Sequence, residues 1–341
     1  MTASGLAAAA PTAVICGIGA HVPDRVVTNR DLVARLDTTD EWIRSRTGIA
    51  SRHMVPPGTA TSDLAVEAGG RALVSAGGPP PDAVVLATTT PDRPCPATAP
   101  EVAARIGLGG AAAFDVSAVC SGFLYALAAG SGLIASGTAR QVLVIAADAF
   151  TTIVDPADRG TAVIFGDGAG AVVLRSGRRD EPGAVGPVVL GSDGRLSGLI
   201  EVRAGGSRQR SSGLPAGPGE EYFRMRGRET FRHAVERMSA ASREAARAAG
   251  WRPADVDRFA AHQANGRILS AVAAELGIPA ERALSNIERV GNTGAGSIPL
   301  LLAQAAAEGS LAAGHRLLMT AFGGGLAWGA AALVWPDVKA C

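Results

Sequence analysis

Four positions in the 341-residue chain have the types and settings that acyl chemistry uses. Cys120 lies in Asp115-Val116-Ser117-Ala118-Val119-Cys120-Ser121-Gly122-Phe123, where an apolar strand pattern passes into a helical one. A thiol at the start of a helix faces unpaired N–H groups and the positive end of the helix dipole. Both favour thiolate, and the small neighbours leave room for a substrate carbonyl. His262 follows the apolar run Phe259-Ala260-Ala261 and precedes a helical segment, the end of a strand where α/β folds place reactive groups. Asn292 sits in Gly291-Asn292-Thr293-Gly294-Ala295-Gly296-Ser297-Ile298-Pro299, and Gly323-Gly324-Gly325 offers bare backbone that can aim N–H groups at an oxyanion. Each also has a plain reading. Cys is a small buried hydrophobe, His a hydrogen-bonded core residue, Asn a cap, and a glycine triplet a tight turn.

Composition bounds what surrounds them. There are 32 basic against 31 acidic residues, so the net charge of +1 excludes a chain built to coat nucleic acid or an anionic membrane surface. Hydrophobic residues make up 47% and charged residues 18%, which excludes disorder over most of the length. Glycine is abundant at 44 residues with no triplet period, and every basic residue but Lys339 is arginine. Cys16, Cys95, Cys120 and Cys341 have irregular spacing and form no CxxC pair, so neither a disulfide framework nor a metal site is expected. The N-terminal residues lack a basic segment followed by a strong apolar one, and no apolar run reaches the ~18 residues of a membrane span. A soluble, cytoplasmic protein is expected.

The elements that must position these groups alternate between short β-branched apolar runs (84–88, 142–146, 317–321) and Ala-rich helical segments (64–76, 100–106, 122–136, 229–249, 267–276, 298–308). One pattern recurs. The helix from Gly122 and strand from Val142 are matched by the helix from Ile298 and strand from Leu317, about 175 residues on, and each strand leads into a Gly-rich turn and another apolar strand. Two similar halves, 12–178 and 179–338, are expected, divided near the stretch from Gly177 to Gly219 where the helical period disappears.

Taken together, Cys120, His262, Asn292 and the Gly323–Gly325 turn form a signature. The sequence resembles β-ketoacyl-acyl carrier protein synthase III, of the thiolase-like condensing enzymes, over nearly the whole chain. Thr38–Ile43, Arg46–Ile49, Asp158–Thr161, Phe165–Ala171 and Ala321–Gly329 carry the resemblance further. It implies a thiolase-like α/β fold, two βαβαβ halves in a five-layer αβαβα sandwich. It also implies decarboxylating condensation of an acyl-coenzyme A primer with malonyl-acyl carrier protein, in a homodimer, with no cofactor beyond the coenzyme A substrate.

Position by position, the resemblance makes Cys120 the nucleophile, with His262 and Asn292 completing the catalytic set and the N–H groups of Cys120 and Gly324 as the oxyanion hole. Trp42 and Arg159 match residues that sandwich adenine, Arg46 and Arg267 the basic residues around the phosphates and pantetheine tunnel, and Asn265 the tunnel wall. Arg232, with Arg267, falls where a carrier protein docks, in a stretch that also holds Arg203, Arg208, Arg210, Arg224, Arg226 and Arg228 against Glu220, Glu221 and Glu229.

Several departures from the family bear on substrate fit, Gly294 and Gly296 in place of residues that are often Ser and Ala among them. Cys95 stands where the loop that closes the partner's acyl pocket often carries a bulky aromatic, so branched or medium-length primers are expected to fit. Gly266 replaces a larger residue, which would loosen the tunnel wall, and Val119 is bulkier than the usual Ala. Alternatives keep the fold and change the chemistry: a pathway-specific acyltransferase that primes a polyketide or acylates a small hydroxyl or amine, a Cys–His thioesterase, or a degenerate acyl-binding subunit.

Overall fold

The computed structural model describes residues 11–341. Its first large sheet has five strands in the spatial order Thr12–His21, Gly168–Gly177, Gln141–Asp148, Ala83–Ala87, Ala112–Val116. The last three are mutually parallel, and the first two run antiparallel to their neighbours. The second sheet orders Arg258–Ala261, Arg316–Gly323, Ala327–Val334 and Val188–Ser192. Its pairings run in the same sense: parallel, antiparallel, antiparallel. A parallel bridge from Phe259 to Ala283 stands where the first sheet has its fifth strand.

Helix character follows layer position. The helices Gly122–Ala135 and Ser297–Ala307 are apolar nearly all round and pack between the two sheets, which is the condition for a helix with no polar face. Burial of Phe123, Leu124, Leu127 and Ile134 contributes about 1.5–3 kcal/mol for each side chain. The outer helices have one apolar stripe each. Thr61–Ala76 covers the first sheet, while Gly227–Ala248, packed beside Gly266–Leu276, covers the second. The result is the five-layer αβαβα arrangement that the resemblance implies. Among the described residues no helix is long and apolar enough to cross a membrane.

The 175-residue spacing holds at the level of single turns. It separates the helix starts Gly122 and Ser297, the strand starts Gln141 and Arg316, and the 3₁₀ turns Val119–Ser121 and Gly294–Gly296. Both turns open on a left-handed residue, Val119 at φ 46° and Gly294 at φ 57°. Val119 is the one non-glycine with positive φ among the described residues, a conformation that costs a β-branched residue energy and is held by its surroundings.

Candidate active site

The strand Ala112–Val116 ends below a loop that climbs through the Val119–Ser121 turn into the central helix, which places Cys120 at the base of a cavity of about 630 Å³. The backbone of Gly323 passes directly over it. A Cβ on Gly323 would come within 2.7 Å of the Cys120 nitrogen, so no side chain fits there. The Cys120 N–H lies beneath Gly323, and Gly324 follows in the turn between the strands Arg316–Gly323 and Ala327–Val334.

His262 leaves the end of strand Arg258–Ala261 and is 1% exposed. Its Nδ1 lies 2.6 Å from Ser297 Oγ, and that oxygen also accepts the Gln263 N–H at 3.3 Å. The ring nitrogen is the only acceptor the Ser297 hydroxyl finds among the described residues. The hydroxyl hydrogen is therefore assigned to Nδ1, which leaves the ring proton on Nε2. Burial holds the imidazole neutral, its pKa pushed down to about 3.

Asn292 is oriented just as firmly. Its Oδ1 accepts the Gly294 N–H at 3.0 Å, so its amide NH₂ is the free end. Its own backbone bonds on both sides, Asn292 N–H to Ile164 C=O and Gly166 N–H to Asn292 C=O, each at 2.9 Å. Phe165, between them, stacks on Phe150 at 4.2 Å, and Phe223 meets both rings edge-on at 5.1 Å. Phe165 and Phe223 line the cavity beside Cys120, His262 and Asn292. The site thus presents a thiol and two neutral side-chain donors within a largely apolar wall.

The Cys120 thiol departs from expectation. Burial, and then the Asp148 carboxylate, push its pKa up to about 12, so helix-end activation does not leave a resting thiolate. Desolvation and the Asp148 charge both favour the protonated thiol, against the helix end.

Arg46, Asn265 and Arg267 also line the cavity, at its mouth. Asn265 caps the helix Gly266–Leu276 through Arg267 N–H at 2.9 Å, and its NH₂ reaches the Arg46 carbonyl at 3.0 Å, tying that helix to Asp40–Thr47. Gly266 does not loosen this wall. A Cβ there would lie 3.2 Å from the Thr47 carbonyl oxygen, so glycine lets the two helices close up. Trp42 and Arg159 lie outside the lining, although Asp158 and Gly160 belong to it. The Arg159 guanidinium rests over the Trp42 ring at 4.7 Å, with Arg46 at 6.0 Å. A base held between Trp42 and Arg159 would have to part them.

Arg232 is exposed and lines a separate groove beside the outer helices, which shares Arg228 and Phe231 with the cavity. Arg203 is engaged by Glu201 at 2.8 Å, which removes it from the free basic cluster. Cys95 is exposed and lines no part of its own chain's cavity. Among the described residues no cluster of His, Cys, Asp or Glu is set to hold a metal. Ser297 and Asp148 carry little signal in the sequence: Ser297 is one small polar residue in the Asn292 segment, and Asp148 is an acid closing a strand whose core, Val142–Ala147, is apolar.

Comparison with known proteins decides the family. The profile described as 3-oxoacyl-[acyl-carrier-protein (ACP)] synthase III matches residues 114–194, and its C-terminal counterpart matches residues 246–335. A β-ketoacyl-[acyl-carrier-protein] synthase III from Streptomyces coelicolor is 59% identical over 95% of this chain and 98% of its own. The chain belongs to the β-ketoacyl-acyl carrier protein synthase III family. As a member it is an acyltransferase of the condensing type. The crystal structure of the synthase III from Pseudomonas aeruginosa PAO1 superposes with a TM-score of 0.89 at 48% identity, covering 96% of this chain and 99% of that one. The priming β-ketosynthase of the R1128 polyketide pathway superposes at 0.88 with 36% identity, covering 96% and 97%.

Proposed function

We propose that this synthase III condenses an acyl-coenzyme A primer with malonyl-acyl carrier protein through an acyl-Cys120 intermediate. The observation that carries the reading is the pair of neutral donors, His262 Nε2–H and the Asn292 NH₂, fixed by Ser297 and Gly294 in the cavity that holds Cys120. In the first half-reaction Cys120 sulfur bonds to the acyl carbon, the bond from that carbon to coenzyme A breaks, and the thiol proton ends on the coenzyme A sulfur. The Cys120 and Gly324 N–H groups receive the tetrahedral oxyanion. In the second, malonyl-acyl carrier protein loses carbon dioxide. The electron pair of the broken bond moves into the thioester as an enolate, and His262 and Asn292 donate to its oxygen. The enolate carbon then bonds to the acyl carbon, the bond to Cys120 sulfur breaks, and the thiolate takes a proton from solvent. Two neutral donors suit an enolate; a carboxylate in place of Asn292 would repel it. Neither donor is a base, which disfavours the thioesterase.

Coenzyme A enters past Arg46, Asn265 and Arg267, with Trp42 and Arg159 at its adenine, and Arg232 beside Arg228 meets the acidic carrier protein. Dimerisation through strand Ala112–Val116 is supported by its free sheet edge, by Phe114 at 37% exposure, and by Asp115, which binds the Thr98 and Ala99 N–H groups that follow the Cys95 loop. In that arrangement Cys95 borders the partner's acyl pocket and leaves it roomy. His262→Ala and Asn292→Ala test the reading. Each is expected to keep acylation of Cys120 and to lose ~10²–10³ of malonyl decarboxylation; equal loss of both steps would overturn the assigned roles.

A further inference from the structure

Asp148 closes the strand Gln141–Asp148, is fully buried, and has no part in the chemistry above. Among the described residues its carboxylate meets no cation. Oδ1 accepts from Thr89 N–H at 2.7 Å and from the hydroxyls of Thr88 and Thr90, each at 3.2 Å. Oδ2 accepts the Ala295 N–H at 2.7 Å.

The 175-residue repeat gives this contact a meaning. Ala295 is the middle residue of the second 3₁₀ turn, as Cys120 is of the first. Asp148 and Gly323 are likewise counterparts, each ending the strand next to the other half's turn. In one half a bare glycine lies over the Cys120 N–H; in the other a carboxylate sits on the Ala295 N–H. The turns answer in kind. Gly294 cannot carry a side chain, because a Cβ would run into the Asp148 carboxylate, whereas Val119 is tolerated opposite a glycine. The two turns touch across the pseudo-symmetry axis, where Gly122 packs against Ala295.

We infer that Asp148 is a positioning residue, a built-in anion that occupies in the second half the place an oxyanion takes in the first, and so fixes the turn that orients Asn292. The Asn292 amide oxygen is held by Gly294 N–H, one residue before the N–H that Asp148 holds. Four donors keep the carboxyl from rising further than about 6 despite its burial, so at neutral pH it is the anion the turn requires.

The inference rests on the roles proposed for Cys120 and Asn292, and its test separates the two. Asp148→Asn, Asp148→Ala and the milder Thr88→Val are compared with wild type at pH 7.5. Acyl loading of Cys120, carbon dioxide release from malonyl-acyl carrier protein, and iodoacetamide alkylation of Cys120 against pH are measured. The Asp148 variants should load within about threefold of wild type and lose tenfold or more in decarboxylation. Their alkylation profiles should move to lower pH, because the Asp148 charge, which adds to burial in holding the thiol protonated, is gone. Thr88→Val, which removes one of the four donors to Asp148 and the acceptor of the Thr90 N–H, should lose severalfold in decarboxylation and serves if the Asp148 variants do not fold. Decarboxylation at the wild-type rate, or loading and decarboxylation falling together, overturns the inference. A wild type that neither loads nor decarboxylates overturns the proposed function instead.

Discussion

Ser297 Oγ lies 2.6 Å from His262 Nδ1 at the head of the second central helix, and this contact sets which ring nitrogen carries the proton. Without it either tautomer is open to the ring, and the one with a bare Nε2 cannot donate to an enolate. Ser297→Ala is expected to lower kcat for condensation about tenfold, less than loss of the donor itself, with loading unchanged. Ser297→Thr, which keeps the hydroxyl, should restore most of it; stopped-flow loading and steady-state condensation separate the steps.

The Cys120 thiol, pushed up to about 12, is protonated through the neutral range. A raised thiol pKa means that the thiolate fraction grows about tenfold with each pH unit below it. Alkylation by iodoacetamide should therefore climb steadily from pH 6 to 9 with no plateau. A plateau below pH 8 would show a resting thiolate.

Gly266 closes the helix Gly266–Leu276 onto Thr47. Gly266→Leu is expected to destabilise by about 1–3 kcal/mol through overpacking. The same change should raise KM for acyl-coenzyme A, because Arg267 and Asn265 move with that helix. Urea denaturation and initial rates measure the two effects.

Trp42 and Arg159 stack at the rim, away from the reacting thiol. Trp42→Ala or Arg159→Ala should raise KM for acyl-coenzyme A about 2- to 30-fold, the span of one cation–π contact. Loading from a truncated N-acetylcysteamine thioester, which has no adenine, should be unaffected.

Legibility in the sequence followed physical scale. The halves are visible because strand, turn and helix recur at one spacing; Cys120, His262 and Asn292 each have a plain reading alone and stand out only as a set that resembles a known family. Helix starts at Gly227, Gly266 and Ser297 lie a residue or two ahead of the periodic apolar pattern, since polar and glycine positions in a first turn carry no stripe. What stayed hidden depends on three-dimensional neighbours. Helix-end placement argues for a thiolate at Cys120, and burial, with the Asp148 carboxylate on another strand, reverses it. Gly266 reads as missing volume until Thr47, distant in sequence, is seen against it. The Arg203 to Arg232 stretch reads as one basic patch because Glu201, which pairs with Arg203, lies just outside it.

The central claim, a covalent acyl-Cys120 that malonyl-acyl carrier protein converts to product, is tested most directly by intact and peptide mass spectrometry. Incubation with acetyl- or isobutyryl-coenzyme A should add one acyl group to the Cys120 peptide and none to Cys120→Ala. Malonyl-acyl carrier protein should then remove it as one equivalent of β-ketoacyl-acyl carrier protein for each carbon dioxide released. Absence of the adduct, or its discharge as free acid, would contradict the account.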